Sequence, residues 1–76
     1  MKTKYDYGDE VTYKHLHENG SLGSDVCVVV AITGVETDHQ SQHFGHPVGT
    51  VLYTVEFGDG SDKLVAEDEL ELALGN

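Results

Sequence analysis

Thr50-Val51-Leu52-Tyr53-Thr54-Val55-Glu56-Phe57-Gly58-Asp59-Gly60-Ser61-Asp62-Lys63-Leu64-Val65-Ala66 is the stretch that decides the fold. From Thr50 to Phe57 the residues alternate. Val51, Tyr53, Val55 and Phe57 point one way, Leu52, Thr54 and Glu56 the other, the period of a half-buried strand. Gly58-Asp59-Gly60-Ser61 reads as a tight hairpin turn whose glycines are free to take positive φ. Asp62 to Ala66 is then the returning strand.

Working upstream, Val26 to Val35 is apolar on both faces, with Val26, Val28, Val30 and Ile32 on one and Cys27, Val29 and Ala31 on the other. A strand of that kind is covered on both sides, so it belongs in the centre of the sheet, with Thr33-Gly34 as the place to bend. Before it, Tyr7-Gly8-Asp9 makes a turn into a strand at Val11 to Lys14. A polar loop follows from His15 to Ser24, with Asn19-Gly20 as a turn dipeptide. Glu36 to Gly49 is a polar, histidine-containing loop without periodicity. Downstream, Glu67-Asp68-Glu69-Leu70 makes one helical turn, and Glu71 to Leu74 resumes extended structure. No amphipathic stretch of helical period supports a bundle.

Five short strands and one turn before the last describe an all-β fold, a small closed barrel formed by residues 1–76 as a single domain, since closure protects the edges of so short a chain. The expected core is Val11, Tyr13, Val28, Val30, Ile32, Val51, Tyr53, Val55, Phe57, Val65, Leu70 and Leu72. The run Tyr7-Gly8-Asp9-Glu10-Val11, the valine-rich strand, Tyr53-Thr54-Val55-Glu56-Phe57-Gly58-Asp59-Gly60 and the close Glu67-Asp68-Glu69-Leu70-Glu71 together resemble SH3-like small barrels. The acidic close after a Tyr-x-Val strand is also similar to bacterial immunity proteins of polymorphic toxin systems, the immunity protein 31 family in particular. The fold resemblance spans most of the chain; the family resemblance rests on its C-terminal third. It implies toxin neutralisation by binding, with no active site to transfer.

Charge narrows the function classes. Four Lys, no Arg and fourteen acidic residues give a formal net charge of -10 and a pI near 4.5. That field repels nucleic acid and anionic membranes, which need a basic footprint. No apolar run approaches the ~18 residues of a transmembrane helix, and nothing apolar follows Lys2 and Lys4 to make a signal peptide, so a cytoplasmic location is expected. Cys27 is the only cysteine. It sits within the valine run and reads as a small buried hydrophobe rather than a nucleophile.

Among candidate sites, the acidic set Asp59, Asp62, Glu67, Asp68, Glu69 and Glu71 is the most informative. With Asp6, Asp9, Glu10 and Glu18 it would form one negative face able to steer a basic protein partner, the ordinary alternative being solubilising charge. Phe44 is the expected exposed anchor for that partner. Tyr5 and Tyr7 offer a peptide groove, against the plainer reading that they are partly exposed caps around Tyr13 and Tyr53. His39, His43 and His46 have i, i+4, i+7 spacing, which on a helix would put three imidazoles on one face for Zn²⁺ or Ni²⁺, with Asp38 as an oxygen ligand. Pro47 opposes helix at His46, and a solvated loop explains the histidines as simply. His15-x-His17 would join His39 in a composite site only if the two loops meet. Asp59-Gly60-Ser61-Asp62 lacks the spacing of a calcium loop, and no serine lies in a Gly-x-Ser-x-Gly setting.

The expected function is therefore a non-catalytic acidic module, an immunity or inhibitor protein that binds a basic toxin, with no resident cofactor. The alternatives are a small metal-binding domain built on the histidine loop and an accessory subunit of a larger enzyme.

Overall fold

The computed structural model describes residues 2–16 and 19–72. Five strands, β1 (Glu10–Leu16), β2 (Leu22–Gly34), β3 (Val51–Phe57), β4 (Asp62–Ala66) and β5 (Leu70–Leu72), form one antiparallel sheet in the order β4-β3-β2-β1-β5. A seven-residue helix, α1 (Asp38–Phe44), lies between β2 and β3, and a 3₁₀ turn at Glu67–Glu69 joins β4 to β5.

The sheet has two edges, and no β4–β5 ladder joins them among the described residues. Yet the last residue of β4, Ala66, and the first of β5, Leu70, are separated by three residues. In a flat sheet the outer strands of five would lie about 19 Å apart, at about 4.8 Å per step. A link of four Cα steps reaches at most about 14 Å. The sheet must curl strongly to bring its edges within that reach, and the concave side is where the core forms.

The core has two parts. Tyr5, Val11, Cys27, Val29, Val51, Tyr53, Val55, Val65 and Leu70 make the main cluster, with Tyr13, Ile32 and Phe57 packed against it. Val35, Leu52 and Ala66 make a second, covered by Phe44 of α1. Val28 does not join either and is exposed, because the register carries Val11 opposite Cys27, which turns Cys27 and Val29 inward. Val30 is then a bulge: Val29 pairs with Val55 and Ala31 with Thr54, leaving Val30 unpaired and only half-buried. The extra residue reverses the parity, so Ile32 returns to the core side. The irregularity thus falls at Val30, ahead of the expected bend at Thr33-Gly34. Leu72, also expected inside, is exposed at the end of a three-residue strand.

The segment from Glu36 to Gly49 contains a helix where an aperiodic loop was expected. Thr37 caps it: its Oγ1 accepts from the Gln40 N–H at 3.1 Å, and Gln40 Oε1 accepts in return from the Thr37 N–H at 3.1 Å, the reciprocal arrangement that satisfies otherwise orphaned donors. Gly45, at φ 73, ends the helix, its N–H donating to the Ser41 carbonyl at 2.9 Å. The first loop is also shorter than expected. The β1–β2 ladder continues through His15 opposite Gly23 to Leu16 opposite Leu22, since backbone pairing does not need apolar side chains.

At the N-terminal end the expected turn forms. The Gly8 N–H donates to the Val29 carbonyl at 2.8 Å and the Val29 N–H to the Asp9 carbonyl at 3.0 Å. Gly8 lies at φ 89, where a side chain would be strained.

Candidate functional site

The expected partner-binding residues divide by the work they already do. Glu67 Oε2 accepts from the buried Tyr53 hydroxyl at 2.6 Å and from the Lys4 N–H at 3.0 Å. Glu69 Oε2 accepts from the Ala66 N–H at 2.7 Å, holding the start of the 3₁₀ turn. Glu71 pairs with Lys14 at 3.1 Å. Asp59 Oδ1 accepts from the Ser61 N–H at 2.9 Å and its hydroxyl at 2.6 Å, which lowers the Asp59 carboxyl below its ordinary value. Asp62 and Asp68 are exposed and hold no hydrogen bond through their carboxylates among the described residues. The acidic face therefore combines groups that shape the backbone with groups that only present charge.

Phe44 is half-buried against Val35, Leu52 and Ala66, and its ring meets His43 edge-on at 4.9 Å. It is packed rather than presented, because α1 needs an apolar residue to seat it on the sheet. Tyr5 is likewise inside: it is buried, its hydroxyl donates to the Leu70 carbonyl at 2.9 Å, and its ring meets Tyr53 edge-on at 5.5 Å. Only Tyr7 of that pair is exposed, so no groove forms between them.

A groove forms elsewhere. The β1–β2 and β3–β4 hairpins project past the core and enclose an open groove of ≈ 580 Å³ lined by Tyr13, His15, Asp25, Phe57, Asp59 and Lys63 among others. The Tyr13 ring stacks on His15 at 5.5 Å and meets Phe57 edge-on at 6.0 Å. His15 Nε2 lies 2.9 Å from Asp25 Oδ2, and Lys63 Nζ sits over the Tyr13 ring, 5.8 Å from its centroid. The groove thus offers an aromatic floor with one cation and two carboxylates at its edges. The sequence contained the signal, since Tyr13 and Phe57 lie on the inward-facing rows of their strands. Their meeting depends on the pairing of Phe57 with Cys27 and of Tyr13 with Asp25, which alternation alone does not give.

His39 and His43 are exposed on α1, and His46 lies beyond the left-handed Gly45, off the helix register. No group of three metal-ligating side chains occurs among the described residues. His17 and Glu18 lie outside the described residues. Cys27 is buried, its thiol donating to the Val11 carbonyl at 3.6 Å, and burial pushes the thiol above its ordinary value. Thiol reagents are expected to modify it at a useful rate only after denaturant is added, as Ellman titration with and without urea would show.

No helix among the described residues is long and apolar enough to cross a membrane. Comparison with protein-family models, with curated proteins and with solved structures finds no match to this chain.

Proposed function

We propose that the chain is a non-catalytic, acidic protein-binding module of SH3-like barrel architecture that acts as an immunity-type inhibitor, neutralising a basic toxin by direct binding. The architecture is supported by the strand order, a meander of β1 to β4 with the fifth strand, β5, paired back to β1, and by the curl that the short 3₁₀ link demands. The binding role is carried by one observation, a formal net charge of -10 that the fold does little to compensate. Lys14 is tied to Glu71, while Lys4 and Lys63 lie over tyrosine rings rather than on carboxylates. This charge exceeds the roughly 2 to 8 that solubility asks of a small domain. An uncompensated field speeds encounter with a cationic partner more than it deepens affinity.

The test is recovery of partners on the tagged protein at low and moderate salt, followed by a growth assay with the partner expressed. One basic protein that salt removes, and whose toxicity this chain suppresses, is the expected result. Retention indifferent to salt, or protection undiminished by Asp62→Asn with Asp68→Asn, would overturn the reading. Those two positions are chosen because Glu67 and Glu69 also hold the fold. The metal alternative gains nothing from the helix, whose C-terminal turn at Gly45 separates His46 from His39 and His43.

A further inference from the structure

We infer that the outer face of the sheet, the side turned away from the core, is where the basic partner docks, with Val28 as an apolar centre between Glu10 and Glu56, Val26 one row further along β2 at the lip of the groove, and Leu64 next to Asp62 on β4. This deepens the binding role proposed above and rests on it.

The ladder places these residues together. Val28 is paired with Glu10 on one side and Glu56 on the other, and Glu56 is paired with Asp62, so one row across β1 to β4 reads Glu10, Val28, Glu56, Asp62. Directly paired residues share a face. Val26 stands opposite Thr12 in the next row, and Leu64 opposite Thr54 on the far side. Their neighbours along the strands, Val11, Cys27, Val55 and Val65, are buried, so the row is turned to solvent. Val26, Val28 and Leu64 are 57%, 38% and 42% exposed.

Neither the apolar centre nor the charge is explained by folding. Like charges directly opposite each other, as Glu56 and Asp62 are, destabilise a sheet, and solubility does not require carboxylates at that pairing. The helix α1 covers only one end of this face, over Leu52 and Ala66, and leaves Val26, Val28 and Leu64 exposed. The cation of this face, Lys14, is tied to Glu71 at the rim. A second copy of a chain carrying a charge of -10 would be repelled from such a surface. A basic one is complementary to it. Glu10 and Glu56 lie on strands two apart, hence about 10 Å from each other. The fitting surface therefore presents Arg or Lys groups about that distance apart, flanking an apolar side chain that seats on Val28.

The experiment is a ¹⁵N amide titration with a peptide of Arg-Leu-Ala repeated four times, whose arginines recur on one face about every 9 Å in the extended three-fold polyproline II conformation. Saturable shifts at Thr12, Val26, Val28, Thr54, Glu56 and Leu64 are expected. The Glu10→Gln/Glu56→Gln variant should bind roughly tenfold more weakly, while Glu56→Gln alone raises the melting temperature by about a few degrees through relief of the opposed charges. A cooperative melt of the double variant, no lower than that of the native protein, shows that it is folded. Shifts confined to Tyr13, Phe57 and Lys63, an absence of saturable shifts, or concentration-dependent shifts on this face without peptide would each overturn the docking surface. The basic-toxin reading would still be decided separately, by partner recovery and protection.

Discussion

Tyr53→Phe lowers the melting temperature by roughly 4–24 °C, although it removes a single oxygen from a ring that stays buried. That oxygen accepts from the Tyr5 N–H at 3.2 Å and the Lys4 N–H at 3.1 Å and donates to Glu67. Lys4 retains Glu67 as a partner. The Tyr5 N–H is left buried with no acceptor, and an unsatisfied buried donor costs about 1–3 kcal/mol. For a domain of this size each kcal/mol shifts the transition by roughly 4–8 °C. The hydroxyl also joins three separate parts of the chain: the N-terminal segment, the middle of β3 and the 3₁₀ turn. Tyr7→Phe, at an exposed ring, is the control and should change nothing. The same substitution carries a pH signature. Burial, and then the hydrogen bond to Glu67, raise the Tyr53 phenol above its ordinary value of 10.0. A raised folded value means that the stability linked to this group is fully present below pH 10, where both states are protonated. Above it the unfolded chain ionises first, and the contribution is lost as pH climbs toward the folded value. Urea midpoints measured across that range should fall less steeply for Tyr53→Phe than for the native protein.

Leu52→Ala removes most of the stability margin. The residue is fully buried beneath α1, and truncating a buried leucine costs about 2–5 kcal/mol. A single core of this size supplies only about 3–5 kcal/mol. The variant should therefore show a sharply lowered urea midpoint and be partly unfolded without denaturant. Glu56→Ala, on the same strand and formally the same side, should not lower the midpoint, since it truncates an exposed side chain and removes a charge that faces Asp62. Phe44→Ala falls between them, because its ring is only half-buried.

Leu52 also marks where alternation stops being readable. Its strand was legible in position and in which side faces the core, since Val51, Tyr53 and Val55 are all buried. Leu52 belongs to the opposite row, and only the helix laid over it explains its burial. That helix was within reach of the sequence, because Thr37 and Gln40 have capping-box spacing before Gly45. β2 posed a different difficulty. With apolar residues on both rows, nothing in its composition distinguishes Val28 from Val29; the pairing of Val11 with Cys27 decides it, and the bulge at Val30 then reverses it. The acidic residues were legible as charge but not as separate roles. Glu67 and Asp68 are adjacent and alike in sequence, and the distinction is made by Tyr53, fourteen positions earlier. The groove between the hairpins and the outer row of carboxylates both depend on cross-strand register, which one strand read alone does not contain.

The three-residue link between β4 and β5 also sets an order on the folding reaction. β1 and β5 come from opposite ends of the chain, and closing so long a loop directly would carry a large entropic cost. Once the hairpins from β1 to β4 have formed and curled, Ala66 already stands near β1, and the effective loop left to close is only the 3₁₀ turn. The β1–β5 contact becomes a late, inexpensive step following a succession of local ones. By the same reasoning it is the first to open in the native state, so the backbone amides of Leu70 to Leu72 should exchange with solvent ahead of those in β2 and β3.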